Sequence, residues 1–358
     1  MLKYVRLAER ILLVGFYRKF GFPFIMPYKY IFIVTNLCQS KCRTCNIWKI
    51  YKKRPNELKK ELKLQDYEKI FENIKDEVFW LNFSGGEPFL RKDLVEMTKL
   101  AFEKFKNLII FNIPTNGLET EIIKRKVGKI LRFKRDDIKF FITISLDGPE
   151  NLHDKIRGVK GSYKKARKTY DELKQLGKKY KNFFVGFQST LSKYNIERYK
   201  EVFEELKNTS LPIIAFSAEA GYFNNIGSSI KLENVEKKKI LEAIRYFREN
   251  YPDSSLESFV LKKYLDLAEK FYKNPKNLVL PCSASFATIT VDAYGNVWPC
   301  AYFPDSIENV KNFGFSLRSI LKSDKAQLLK NRVKNGECIH CWANCEAYPS
   351  IIQTLKII

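Results

Sequence analysis

The eight cysteines of this 358-residue chain fall into two groups. Three lie in one short run, Cys38-Gln-Ser-Lys-Cys42-Arg-Thr-Cys45. Five lie towards the other end, at Cys282, Cys300, Cys338, Cys341 and Cys345, and the stretch 46–281 has none. Eight cysteines are too sparse to staple a chain of this length as a disulfide scaffold. Grouped thiols in a reducing compartment are a metal-binding pattern. With only 2 His in the chain, imidazole-rich metal sites and most His-based triads are nearly excluded. Ligation falls to sulfur.

The rest of the composition describes a folded protein. With 28 Phe and 19 Tyr, the chain carries too much aromatic surface for a solvated coil. The apolar run Ile11–Tyr17 is far short of the roughly 20 residues that span a bilayer, and no secretory cleavage signal follows it. The expectation is a cytoplasmic protein. The net charge of +24 has two readings. One is a compositional bias of the whole proteome, which the Lys-, Ile- and Glu-rich usage suits. The other is an acidic partner: nucleic acid, phospholipid or a phosphorylated substrate.

Residues 2–20 read as a basic amphipathic helix. It either packs on the body of the protein or lies on a membrane surface, the latter making the protein peripheral there. Gly21 and Pro23 end it. From Tyr30 onward short apolar runs alternate with helical spacing. Strands are expected at Tyr30–Thr35, Phe79–Phe83, Leu108–Ile113, Phe140–Ser145, Phe183–Thr190 and Leu211–Ser217. Helices are expected between them. Six βα units in series imply an α/β fold, a parallel sheet with right-handed crossovers curled into a partial (β/α)6 TIM-like barrel. Ligands would gather at the C-terminal strand ends. The expected organisation is an N-terminal helix (1–27), the barrel (28–222), a charged helical linker (223–275) and a small cysteine-rich domain (276–358). In that last domain a short β pair, Ala287–Asp292 and Gly295–Trp298, is joined by a tight turn.

Three thiolates from one loop can hold three irons of a cubane and leave the fourth open for chemistry, whereas four would close the cluster. Zinc would need a fourth ligand nearby, and both histidines are remote in sequence. The Cys38-x3-Cys42-x2-Cys45 pattern after strand one resembles the radical S-adenosylmethionine (radical SAM) superfamily. Further motifs agree, each at a successive strand end: Ser84-Gly85-Gly86-Glu87-Pro88, Pro114-Thr115-Asn116-Gly117, and Ser145-Leu146-Asp147-Gly148-Pro149 with His153-Asp154 and Ile156-Arg157-Gly158. The resemblance implies a SAM-binding [4Fe–4S] cluster on Cys38, Cys42 and Cys45. It implies SAM contacts from Gly85, Gly86, Glu87, Ser145, Asp147, Arg157 and Gln188. His153 reads better as a structural hydrogen-bonding residue than as a proton carrier.

The second group, Cys282, Gly295-x4-Cys300 and Cys338-x2-Cys341-x3-Cys345, resembles a SPASM/twitch-type auxiliary-cluster domain. Five thiols suffice for one four-ligand [4Fe–4S] cluster with one to spare. Cys282 and Cys300 are ligands in that reading, and two of Cys338, Cys341 and Cys345 complete the set. A zinc ribbon is the competing reading of this domain.

The resemblance implies reductive cleavage of SAM to a 5′-deoxyadenosyl radical and hydrogen abstraction from a substrate, for oxidation or modification. It implies an electron donor such as ferredoxin or flavodoxin. The substrate is open: a small acidic or membrane-associated molecule, or a peptide or protein in a maturase. Ala301 stands where sulfatase-maturing relatives carry an Asp, which counts against that activity. Tyr302 beside it reads as core or as a hydrogen donor. A non-catalytic iron–sulfur or zinc protein that binds nucleic acid is the third and least favoured class.

Overall fold

The structure, a computed structural model, describes residues 2–207, 209, 213–218, 221–223, 232, 235–251, 256–275 and 278–354. Helix α1 (Leu2–Phe20) leads into β1 (Lys29–Thr35). Then come α2 (Lys49–Lys53), α3 (Leu64–Ile74), β2 (Trp80–Gly85), α4 (Leu94–Lys104), β3 (Ile110–Thr115), α5 (Thr120–Phe133) and β4 (Lys139–Ser145). Two helices follow β4, α6 (Glu150–Arg157) and α7 (Ser162–Gly177). The chain continues through β5 (Phe183–Leu191), α8 (Tyr199–Lys207), β6 (Ile213–Phe216), α9 (Lys237–Asn250) and α10 (Leu256–Lys273). It ends with β7 (Thr288–Val291), β8 (Val297–Trp298), α11 (Leu317–Lys322), α12 (Asp324–Lys334) and α13 (Asn344–Thr354).

The strands form one sheet in the order β6-β5-β4-β3-β2-β1-β7-β8. The first six are mutually parallel, as serial βα units require. The barrel is partial, not closed. The C-terminal β pair does not stand apart from it. β7 runs parallel to β1, with Lys29 opposite Thr288 and Phe32 opposite Val291, and β8 returns antiparallel. Of the expected sixth strand, residues 211 and 212 lie outside the described residues.

Pleating sorts each strand into two faces. Leu81 and Phe83 of β2, with Phe111 and Ile113 of β3, are fully buried against the outer helices. Phe83 stacks on Phe71 and meets Phe111 edge-to-face, while Phe111 meets Phe102 edge-to-face and stacks on Phe140. The alternate residues Trp80, Asn82, Ser84, Asn112 and Pro114 are only half-buried and face the barrel interior. One continuous core joins Met26, the barrel strands and α13 through Ile351.

Helix α1 closes the N-terminal end of the barrel. Lys3 donates to Leu108 O at 3.1 Å and pairs with Asp137 at 2.9 Å. Arg6 reaches Asn107 at 3.2 Å, and Arg10 pairs with Glu77 at 2.5 Å. All four partners stand just before β2, β3 or β4. The helix therefore lies across the strand starts, opposite the end where ligands gather.

Candidate active site

The loop after β1 carries the first three cysteines, and the sequence pins it from three sides. Glu61 reaches across from the short helical turn Pro55–Lys60. Its Oε1 accepts from Asn36 N at 2.7 Å, from Thr35 Oγ1 at 2.9 Å, and from the Tyr51 hydroxyl. The C-terminal end of α6 holds the middle of the loop: Lys41 N donates to Arg157 O and Arg43 N to Ile156 O, both at 2.9 Å. Gly158 there has φ +66°, and a Cβ on it would sit 2.5 Å from Lys41 O. The third side is the Ser-Gly-Gly segment at the end of β2. Gly86 N donates to Thr35 O at 2.8 Å and Glu87 N to Leu37 O at 2.7 Å. Side chains at Gly85 and Gly86 would come within 2.2 and 2.4 Å of those carbonyls. The paired glycines are thus required for packing against the cysteine loop itself, apart from any approach to a ligand.

The loop presents Cys38, Cys42 and Cys45 to one cavity of about 240 Å³ at the C-terminal strand ends. Gly85, Gly86, Ser145, Arg157 and Gln188 line the same cavity. They come from the end of β2, the end of β4 and the helix after it, and the C-terminal half of β5, the arrangement expected of a barrel ligand site. Two residues anticipated as ligand contacts, Glu87 and Asp147, lie behind its wall. Glu87 is fully buried and accepts from Asn116 N at 2.8 Å, Thr115 Oγ1 at 2.9 Å and Phe89 N at 3.2 Å. It ties the β2 and β3 loops together. Asp147 Oδ2 pairs with Arg157 Nε at 2.7 Å, and its Oδ1 accepts from Thr190 N at 3.1 Å. It aims the guanidinium instead of touching the cavity.

Burial raises all three thiols. Cys38 and Cys45 are pushed up to about 12, mainly by loss of water and then by the neighbouring Cys42. Cys42 is raised by burial and held back by Arg157, whose Nη1 lies 3.7 Å from its sulfur. Burial also pushes Glu87 up to about 7, with Asn116 and Thr115 opposing. Burial keeps these three thiols neutral until a cationic metal group deprotonates and binds them. The donors turned towards them suit thiolates: Arg157 on Cys42, and Asn116 Nδ2 at 3.9 Å from the Cys38 sulfur. Among the described residues, no three His, Cys, Asp or Glu side chains stand close enough to hold one metal ion between them. The thiols ring a space, and the donor set fits an iron–sulfur cluster with one unligated iron.

Thr190, Phe223, Trp48 and Asn344 also wall the cavity, although no motif singles them out. Asn116 stood in a noted motif, but its turn towards Cys38 was not readable there. Tyr302 lines the cavity as well. His153 is fully buried, and its Nδ1 accepts from Asp147 N at 3.1 Å. It supports the Asp147 turn from behind.

The five later cysteines gather beside the start of β1. Cys282, Cys338 and Cys341 share a second, smaller cavity of about 40 Å³. Cys300 is buried and Cys282, Cys341 and Cys345 are half-buried, and the four lie within electrostatic range of one another. Cys338 acts on Cys282 and Cys341, with which it lines that cavity. His340 is turned away, its ring nitrogens held by Pro275 O at 3.3 Å and Gly336 O at 2.6 Å. The group adjoins the main cavity: Tyr302 and Asn344, which line it, stand next to these cysteines in sequence. Four sulfurs in mutual reach fit a closed cluster.

Comparison with known proteins agrees with this geometry. Residues 32–194 match the model of the radical SAM superfamily, and residues 282–342 that of an iron–sulfur cluster-binding domain. The Fe-coproporphyrin III synthase of Methanosarcina barkeri is 34% identical over 134 residues, 37% of this chain and 30% of that one. The antilisterial bacteriocin subtilosin biosynthesis protein AlbA of Bacillus subtilis is 24% identical over 302 residues, 84% of this chain and 60% of that one. The chain thus spans less than two thirds of the length of these relatives. The structure of native anSMEcpe with bound AdoMet superposes with a TM-score of 0.59 at 15% identity, covering 86% of this chain and 84% of that one, which shows the shared fold. Among the described residues, no helix is long and apolar enough to cross a membrane. With the thiol loop and strand-end glycines inside the first match and the auxiliary cysteines in and beside the second, the chain carries a radical SAM superfamily domain over residues 32–194 and a C-terminal iron–sulfur cluster-binding domain over residues 282–342.

Proposed function

We propose that the protein is a radical SAM enzyme that modifies or oxidises its substrate in the 240 Å³ cavity. The observation that carries this reading is the convergence of Cys38, Cys42 and Cys45 with Gly86, Ser145, Arg157 and Gln188 on one cavity wall. The three thiols would hold a [4Fe–4S] cluster, and the same cavity would take SAM. Together the cluster and SAM supply, when bound, one-electron reductive cleavage to a 5′-deoxyadenosyl radical that abstracts a hydrogen atom from the substrate.

The chain's own residues position and shield that chemistry. Arg157, aimed by Asp147, presents a guanidinium to the SAM carboxylate, the planar fork suited to that group. Gly85 and Gly86 leave their backbone open to the SAM amino group. Ser145 and Gln188, on adjoining strand ends, face the nucleoside. Phe223, Trp48 and Tyr302 wall the cavity with rings and keep water from a reactive radical.

Cys282, Cys300, Cys341 and Cys345 hold one auxiliary [4Fe–4S] cluster, with Cys338 as the spare thiol. A cluster held there would supply electron exchange with the substrate, and Tyr302 and Asn344, close to these cysteines in sequence, line the cavity. An external donor of the ferredoxin or flavodoxin class supplies the reducing electron. A peptide or protein substrate is the second reading, supported by the match to AlbA along 84% of this chain.

The test is anaerobic reconstitution followed by iron analysis and a SAM-cleavage assay. About eight irons per chain are expected, about four in a Cys38→Ala/Cys42→Ala/Cys45→Ala variant, and about eight in Cys338→Ala. Formation of 5′-deoxyadenosine by the triple variant would overturn the reading.

A further inference from the structure

Helix α1 has two apolar faces, and only one of them is used. At about 3.6 residues per turn, Leu7, Ile11, Val14 and Tyr17 share the face that packs on Phe286, Tyr28 and Ile109. The opposite face carries Leu2, Val5, Leu12, Phe16 and Phe20, all exposed, with Phe22 just beyond the helix end. Leu2, Leu12 and Phe22 are 65%, 61% and 66% exposed. Among the described residues, seven of the ten large apolar side chains left exposed lie between Leu2 and Phe22. So dense a patch on one element is an interaction surface and not ordinary surface scatter.

The charges beside the patch select its partner. Lys19 is exposed on the same helix, as is Arg6, whose Nη1 bonds Asn107. Lys334 joins them, also exposed, with its Nζ 3.4 Å from Lys19 O at the helix C-terminal end. Among the described residues none of these three pairs with a carboxylate, whereas Lys3 and Arg10 are committed inward to Asp137 and Glu77. Glu9 is the one acid between residues 2 and 23. A second copy docking by the same face would set one cationic rim against another, on a chain already at +24. An anionic lipid surface offers phosphates to the rim and an acyl boundary to the phenylalanines. That is how an apolar helix face with flanking Lys and Arg lies in a bilayer interface.

We infer that α1 is a membrane-docking element, which seats the protein flat on an anionic bilayer through Leu12, Phe16, Phe20 and Phe22 with Arg6, Lys19 and Lys334 at the rim. Because α1 crosses the strand starts, the docked protein holds the 240 Å³ cavity facing away from the lipid. A substrate then enters from the aqueous side. The inference stands on α1 and the neighbouring Lys334 and survives failure of the catalytic reading.

The test is flotation of the full-length, reconstituted protein with vesicles of phosphatidylglycerol or of phosphatidylcholine. The wild type is expected to float with phosphatidylglycerol and not with phosphatidylcholine alone. Phe16→Ser/Phe20→Ser/Phe22→Ser should weaken flotation by about tenfold or more, as should Lys19→Glu with Lys334→Glu at low salt. Leu328→Ser, an exposed apolar position elsewhere, serves as control and should change nothing. No flotation with phosphatidylglycerol, equal flotation with both lipids, or equal flotation of wild type and the phenylalanine variant overturns the inference. So does a dimer in sedimentation velocity that the triple variant dissolves, since that assigns the face to a second copy.

Discussion

Asp147 serves four neighbours at once. Its carboxylate holds Arg157 Nε and Thr190 N, its carbonyl accepts from Asn195 Nδ2 at 3.1 Å, and its amide donates to His153 Nδ1. The last bond requires His153 to stay neutral, since imidazolium has no lone pair to offer. Burial enforces this, pushing the ring down to about 4, with Asp147 and Arg157 acting in opposite directions behind it. The unfolded chain takes up its proton near 6.5. Between about 6.5 and 4 the unfolded state therefore binds more protons, so this residue's contribution falls as pH falls through that window. The span corresponds to roughly 3 kcal/mol at its limit. His153→Gln keeps an acceptor and removes the titration. Urea unfolding of both proteins from pH 7 to pH 4 should show the wild type losing ground to the variant. A stability difference that stays constant across the window would show that His153 does not titrate this way.

At the scale of elements, the strands were legible because parallel, doubly covered strands are apolar runs between turns. Observed and expected strands differ by about two residues at their ends, as helix and strand ends do. Helix α6 was missed: its eight residues hold only Leu152, His153 and Ile156 buried, too short a pattern to read as a period. The motifs located the site but not its side-chain directions. A motif fixes where Glu87 and Asp147 stand, while their turn away from the cavity depends on partners from other strands. The two apolar faces of α1 likewise merge in a helical reading, because periodicity alone does not say which stripe meets the core. Gly86 tests the crossing of the β1 and β2 loops. A methyl group there meets Leu37 O at 2.4 Å and Asn36 O at 2.8 Å, backbone atoms held in place by Glu61 and by the sheet. Gly86→Ala should therefore displace the cysteine loop without unfolding the barrel. The expected result is a native far-UV spectrum with about four irons instead of about eight after reconstitution. Full iron content would mean that the loop has room to yield.

For the whole molecule, the question is whether barrel and auxiliary region are two folding units or one. The family matches divide the chain at 194 and 282, and sequence reasoning placed a boundary near 275. The packing joins what the sequence divides. β7 extends the barrel sheet through β1, and α1 spans both parts: its Arg18 donates to Cys282 O at 3.1 Å and its Tyr17 hydroxyl accepts from Lys330 at 3.1 Å. Lys29, at the start of β1, is fully buried, lies over the Trp80 ring at 4.1 Å and donates to Cys345 O at 2.5 Å, and the charge of Glu346 opposes the lowering that burial imposes on it. Separating the parts would uncover a sheet edge and leave a buried cation without its partners, each a large penalty. Independent unfolding is therefore disfavoured, and the protein should lose both parts in a single transition. Anaerobic guanidinium unfolding, followed by far-UV circular dichroism and by Trp298 and Trp342 fluorescence in a Trp48→Phe/Trp80→Phe background, should give coincident curves. Early loss of the C-terminal signal with the sheet intact would show that the β1–β7 seam is weaker than its pairing indicates. Coincident midpoints together with a lowered midpoint for both signals in Lys29→Met would place the seam's strength in that buried lysine.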